Sequence, residues 1–254
     1  MRLDKYLAEN GLADSRTRAA QMIDAGLIRV NGVLQKKPSY DVPEDAIVET
    51  TGELLPYVSR GGLKLKGALD AFGISPKGLV CADIGASTGG FTDCLLQEGA
   101  VKVYAIDSGK DQLHEKLRAD SRVVSMESFN ARGLTIAHLG EPADLAVTDV
   151  SFISQTLLHG AIASILKEGG VFVSLIKPQF EVGRENLGKG GIVKNPKVRR
   201  EAARRVMASA MSAGLAPIAV TASPITGGDG NIEYLAYFCK QAIAGVLPEI
   251  DHLP

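Results

Sequence analysis

The residue types with the most chemistry in them fall in one stretch and at four scattered points. Asp83-Ile84-Gly85-Ala86-Ser87-Thr88-Gly89-Gly90-Phe91-Thr92 follows an apolar run and precedes a helical pattern. Its glycines let a ligand approach the backbone closely. The spacing is G-x-x-x-G-G, whereas dinucleotide folds use G-x-G-x-x-G, which argues against an NAD-dependent enzyme. The stretch also opens with a carboxylate, Asp83, where a pyrophosphate would be repelled. An acid there suits a cationic ligand portion such as an amino group. A second acid, Asp107, closes the next strand pattern, where a carboxylate suits a ribose diol.

The four scattered points are Lys64, after Ser59-Arg60-Gly61-Gly62; Asp149, before Ser151-Phe152; Lys177, before Pro178-Gln179-Phe180; and Glu233, within Asn231-Ile232-Glu233-Tyr234. Charges at strand ends are commonly surface ion pairs of little worth. Asp149 and Lys177 differ because each stands at a carboxyl strand end, where α/β sheets bind ligands, and each has an aromatic nearby. Glu233 alone would be ordinary in an alternating strand.

The elements that must position these groups alternate. LVCADIG reads as a strand and TDCLLQEGA as a helix. VKVYAID is a strand, Lys110 to Asp120 a helix, and RVVSME a strand before a loop at Glu127, Ser128 and Asn130. ADLAVTDVS is a strand, TLLHGAIASILKEGG a helix stopped by glycine, and VFVSLIKPQF a strand. Pro196 to Ala213 is a helix, followed by the strands PIAVTAS and NIEYLAYFCK. Such alternation predicts βαβ units and a mostly parallel, twisted sheet.

The first 55 residues read differently. Leu3 and Leu7 lie one helical turn apart. Ser15 caps a second helix with Ala19, Met22 and Ile23 facing inward, and Gly26 ends it. Asn31-Gly32 between apolar runs predicts a hairpin, and Tyr40 to Thr51 adds a short strand.

Composition excludes several classes. The chain has 254 residues, 45% of them hydrophobic and 22% charged, which suits a packed core and not disorder. Net charge is −1, so any polyanion must be met by local patches. Cys81, Cys94 and Cys239 form no CxxC pair, and the four histidines lack ligand spacing, so neither disulfides nor a metal site is expected. The N-terminus carries charge where a signal peptide needs an apolar run. Val206 to Gly228 is free of formal charge, but Gly214, Pro217 and Pro224 interrupt it, so no membrane span is expected and the chain reads as cytoplasmic.

Two basic surfaces stand out on this neutral chain. Arg16 and Arg18 sit in the first turn of a helix, where the macrodipole disfavours cations, and Lys36 and Lys37 follow. Residues 184–205 carry eight Lys and Arg against two acids. Within them Lys197, Arg200 and Arg204 share one helical face, a like-charge spacing that phosphate contact would relieve.

The strings SRGGLKL, ADIGASTGGFTD, TDVSFIS, IKPQFEVGR and GNIEYL, in this order, resemble the TlyA family, and the resemblance runs over nearly the whole chain. Members are called hemolysins in many places and are ribosomal RNA 2′-O-methyltransferases where their activity is defined. The resemblance implies an FtsJ-like catalytic domain with a Lys-Asp-Lys-Glu tetrad on a Rossmann-like class I S-adenosyl-L-methionine-dependent methyltransferase sheet. It further implies a small α+β S-four-like RNA-binding domain at the N-terminus. The expected organisation is residues 1–55 for that domain, 56–62 as linker, 63–245 for the methyltransferase domain and 246–254 as a tail.

By the motif match Lys64, Asp149, Lys177 and Glu233 take the catalytic roles, the offset from Ser59-Arg60 selecting Lys64 over Lys66. Asp83, Gly85, Ala86, Ser87, Gly89, Gly90, Phe91, Asp107 and Asn130 are expected to bind S-adenosylmethionine. Arg16, Arg18, Lys36, Lys37, Lys197, Arg200 and Arg204 are expected to face ribosomal RNA or a ribosomal subunit. A ribose 2′-hydroxyl must lose its proton as it attacks a sulfonium methyl. Lys177 can accept that proton only in its neutral form, which nearby cations and burial favour. Asp149 would orient Lys177 and Glu233 would balance Lys64; no metal is required. The rival readings are a noncatalytic ribosome-assembly factor and a membrane-active hemolysin.

Overall fold

The computed structural model describes residues 1–52, 55–228, 230–241 and 246–254. The chain forms two compact units, Met1–Pro56 and Tyr57–Pro254.

In the first unit, α1 (Leu3–Glu9) and α2 (Arg16–Asp24) pack on a three-stranded sheet of β1 (Ile28–Val30), β2 (Val33–Leu34) and β3 (Val48–Thr50), ordered β2-β1-β3. The Ser15 hydroxyl accepts from the Arg18 amide at 3.1 Å, satisfying an end donor of α2. Asn31 and Gly32 both take positive φ, 51° and 74°, the geometry that a two-residue hairpin turn needs. Leu3, Leu7, Ala19, Met22, Ile23, Ile28, Val30 and Val42 form the core.

Arg16, though exposed, has a partner within the chain. Its guanidinium donates to the largely buried Asp4 carboxylate at 2.9 Å, and Arg2 donates to the same group at 3.0 Å. Hydrogen bonds from Arg2 and Arg16 hold the Asp4 carboxyl well below the usual carboxylate range. A depressed carboxyl contributes stability that is complete above its unfolded value of 3.8 and fades as pH falls through the folded value. Asp4→Asn is therefore expected to lower the urea midpoint of this unit at pH 7, with the gap to the parent closing below pH 4. A gap independent of pH would remove the ion pairs as its cause.

The second unit holds α3 (Gly61–Phe72), β4 (Val80–Ile84), α4 (Gly90–Gln97), β5 (Lys102–Ile106), α5 (Glu115–Arg118), β6 (Val123–Met126), α6 (Ile136–Leu139), β7 (Ala143–Thr148), α7 (His159–Ile165), β8 (Leu166–Ile176), α8 (Pro178–Glu181), α9 (Pro196–Ser212), β9 (Leu215–Ala222) and β10 (Tyr234–Lys240). Its sheet runs β6-β5-β4-β7-β8-β10-β9, with β10 antiparallel to both neighbours and the β4, β5, β6, β7 and β8 pairings parallel. Side chains alternate between two cores. Leu145, Val147, Val173 and Leu175 join α3 and α4 on one face, and Ala146, Phe172 and Ile176 join α7 and α9 on the other. Burial on both faces explains why these strands read as unbroken apolar runs.

Four expectations differ from this structure. Residues 166–170 extend β8, not a helix: Gly169, at φ 75°, loops the chain out between the pairings of Leu166 and Val171 with β7. The Lys110–Asp120 helix shrinks to α5, because the Glu127 carboxylate captures the amides of Gln112 and Leu113 at 2.6 and 3.1 Å. Residues 57–62 of the expected linker belong to the second unit. There Tyr57 is buried, the Val58 amide donates to Asp93 at 2.9 Å, and α3 has begun at Gly61. The expected tail is built into the second core, where Ile250 and Leu253 are buried. The end of the expected catalytic domain, 242–245, lies outside the described residues.

Candidate active site

Strand order reverses at β4, which has β5 on one side and β7 on the other, so the loops leaving its carboxyl end and that of β7 open a crevice. Gly85 needs its φ of 87°, and a side chain there would meet the Asp149 carbonyl at 3.0 Å and Val150 at 2.9 Å. The loop then turns through Ser87 (φ 49°) and Gly89 (φ 94°) into α4. Asp107 pins it, accepting from the Ser87 amide at 2.8 Å and the Gly109 amide at 2.7 Å. A carboxylate has about four acceptor positions, so two remain for a ligand.

A cleft of about 470 Å³ follows this rim, lined by Gly85, Ser87, Asp107, Phe129, Asn130 and Asp149 among others. It adjoins a second pocket of about 260 Å³ lined by Arg60, Lys64, Ala86, Gly90, Phe91, Asp149, Ser151 and Lys177. Gly85, Ser87, Asp149 and Ser151 line both. The loop residues, Asp107 and Asn130 thus gather as the sequence suggested, apart from Gly89, which faces Leu117 and Leu113 in the core.

Asp83 is a correction. It is fully buried and lines neither pocket. One oxygen accepts from Thr92 at 2.7 Å; the other has no partner among the described groups. Burial pushes its carboxyl up to about 7 against the effect of the Thr92 bond. It supports the loop from beneath. Glu127 and Ser128 also lie outside both pockets.

The four scattered charges assemble as two ion pairs. Lys177, at the end of β8, reaches Asp149 at 2.6 Å and donates to the Ser151 hydroxyl at 2.8 Å. Lys64, on α3, donates to Glu233 at 2.5 Å, with side-chain exposures of only 10% and 2%. Lys66 points elsewhere, to Asp70 at 2.5 Å, and lines neither pocket. α3 comes close enough because Gly62 and Gly90 carry no side chains where Tyr57 and Ser59 pack. Gly227 leaves room for Glu233: a Cβ there would stand 2.6 Å from the carboxylate.

Two features escaped the sequence reading, and the aromatic noted beside Asp149 proves to be exposed. Phe152 is 91% exposed with a left-handed φ of 63° and lies 5.1 Å from the Phe180 ring. Asn231 is buried and ties the basic loop down, accepting from the Val193 amide and donating to the Gly191 carbonyl. Arg199 is buried and donates to the carbonyls of Val193 and Lys194. Only the exposed aromatic in TDVSFIS had a visible signal. On α9, Arg204 pairs with Asp251 at 2.5 Å and Arg200 donates to the Leu253 carbonyl at 2.9 Å. The expected phosphate contacts of these two are thus met at least partly from within the chain, whereas Lys197 stays exposed.

A reversed strand order, a glycine-loop crevice with an acid on the neighbouring strand, and two lysine–carboxylate pairs beside it define an α/β enzyme of the methyltransferase class. Residues 57–240 match the FtsJ-like methyltransferase family, and residues 1–48 match the S4 domain. The chain belongs to the FtsJ-like methyltransferase family, with an S4 domain preceding the catalytic unit. It is 43% identical over 94% of its length to a 16S/23S rRNA (cytidine-2′-O)-methyltransferase, TlyA, of Mycobacterium tuberculosis, covering 90% of that protein. It is 44% identical over 94% of its length to a protein called Hemolysin A of Brachyspira hyodysenteriae, covering 99% of it. A solved structure from Streptococcus thermophilus, also named as a hemolysin, superposes with a TM-score of 0.74 at 43% identity, over 95% of this chain and 89% of that one.

Proposed function

We propose that the protein methylates a ribose 2′-hydroxyl in ribosomal RNA, using S-adenosylmethionine, with Lys177 as the base. The observation that carries this reading is the convergence of Lys64, Asp149 and Lys177 on one pocket that shares its wall with the Asp107 cleft. That cleft suits the cofactor: Asp107 would hold the ribose diol, Phe129, Asn130 and Ala131 the adenine, and the Gly85–Gly90 loop the methionine end. When bound, S-adenosylmethionine supplies an electrophilic methyl group on a sulfonium.

The chain's own part is to place and deprotonate the hydroxyl. Asp149 and Ser151 fix the Lys177 nitrogen by two of its three donor directions. In the neutral amine the remaining position is the lone pair, which would take the proton of the reacting hydroxyl. Lys64, held by Glu233, keeps a fixed cation on the same pocket wall. Orientation of this kind is worth up to about 7–11 kcal/mol of barrier. Phe152, exposed beside the pocket, offers a ring on which a base can stack. Among the described residues no helix is long and apolar enough to cross a membrane.

Two measurements bear on this. Asp107→Ala is expected to weaken S-adenosylmethionine binding about 10- to 100-fold, since hydrogen bonds to a charged group are worth about 1.5–3 kcal/mol. Unchanged affinity by calorimetry would move the ribose elsewhere. The activity is tested by mapping 2′-O-methyl groups in ribosomal RNA from cells with and without the protein. Identical maps, together with no tritiated-methyl transfer to ribosomal subunits, would overturn it.

A further inference from the structure

The Asp149–Lys177 pair joins two loops that no backbone ladder holds together beyond the ends of β7 and β8. One side chain outside the pocket cross-links them. Glu181, at the end of α8, accepts from the Ser154 hydroxyl at 2.6 Å and from the Gln155 amide at 2.9 Å. Gln155 is itself buried: its side chain donates to the Leu175 carbonyl at 3.4 Å and accepts from the Ser174 hydroxyl. The segment after β7, which carries Asp149, Ser151 and Phe152, is thereby stapled to the segment after β8, which carries Lys177 and Phe180. Burial pushes the Glu181 carboxyl up, so the chain keeps a carboxylate where desolvation disfavours it. A purely structural staple could be apolar at less cost.

We propose that Glu181 is a positioning residue of the methyl-transfer site, setting the geometry of Lys177 against Asp149 through Ser154 and Gln155. The proposal rests on the reading of Lys177 as the base. Glu181 touches neither pocket, so its loss acts on how well the pair is placed and not on what the pockets bind.

The experiment is tritiated-methyl transfer to ribosomal subunits by the full chain, with cofactor binding and melting measured on the same preparations. Misplacement of about 1 Å costs on the order of 100-fold in rate, so Glu181→Ala is expected to lower kcat about 10- to 100-fold. The KM for RNA and cofactor affinity should stay within about twofold. Glu181→Gln can accept from the Gln155 amide and donate to Ser154, and is expected to recover most of the rate. Ser154→Ala should reproduce part of the loss, and its effect in the Glu181→Ala background should be smaller than in the parent, because the Ser154–Glu181 bond is already gone and only the contacts of Ser154 with Thr156 remain to lose. If Glu181→Ala does not fold, Ser154→Ala and Glu181→Gln carry the test.

An unchanged kcat in Glu181→Ala would overturn the proposal. So would a loss that tracks the folded fraction, moves KM equally and is not rescued by glutamine. Lys177→Met in the same assay separates the two readings. If it is inactive while Glu181→Ala is normal, only the present inference fails; if it turns over normally, the base assignment fails and this inference with it.

Discussion

Lys177→Arg is expected to abolish methyl transfer while leaving S-adenosylmethionine and RNA binding in place. Arginine would keep the charge opposite Asp149, and its reach to Ser151 is similar. What it cannot do is give up a proton and act as a base. General-base catalysis is typically worth about 10²–10⁴ in rate, so the residual activity should fall by that factor. Asp149→Ala should be comparably severe, because Lys177 loses the partner at 2.6 Å that aims it. Tritiated-methyl transfer read alongside calorimetry on one preparation is decisive. Near-normal turnover in Lys177→Arg would leave positioning alone to account for catalysis.

The second large effect is expected at Glu233, and the structure raises it above what the sequence suggests. In an alternating strand a glutamate that merely balances charge is replaceable. Here Glu233 and Lys64 form a pair that is nearly closed to solvent, and Gly227 is kept small to admit the carboxylate. Breaking such a pair from one side strands a charge and costs about 3–5 kcal/mol, or roughly 6–20 °C in melting temperature for a unit of this size. Glu233→Ala should therefore fail chiefly by unfolding. Replacing both partners, as Lys64→Met with Glu233→Leu, should restore the melting temperature without restoring activity. A Glu233→Ala protein that melts within a degree or two of the parent would show that water reaches the pair.

The alternation of strand and helix, the capped α2 and the Asn31-Gly32 turn were legible because each rests on local chemistry: a period, a cap, a positive φ. The helix α3 was not placed, although Leu65, Ala68, Leu69 and Phe72 carry its period, because the glycines and proline before it read as a connector. Gly169 misled in the opposite direction: a left-handed glycine ends a helix or bulges a strand with equal ease, and only the pairing with β7 decides. At the site, residue types and strand ends pointed to Asp149 and Lys177. Which cations find partners within the chain was not legible, since Asp4 for Arg16 and Asp251 for Arg204 are set by tertiary packing. The burial of Asp83 beneath its loop likewise follows from the packing of α4 on β4.

β10 is the last strand in the chain, yet it lies between β8 and β9 in the sheet. During synthesis β9 is made first and has no strand to pair with until β10 arrives, and β8 meanwhile shows an open edge. The bond from Lys64 to Glu233 closes over 169 residues. Closing a loop of that length carries an entropy cost that slows folding. The strand that covers β8 and β9 thus also brings Glu233, the residue just ahead of it, to Lys64 on the pocket wall. A chain interrupted before residue 233 would carry the glycine loop and Asp107 but an unpartnered Lys64 and two sheet edges open to association with other chains.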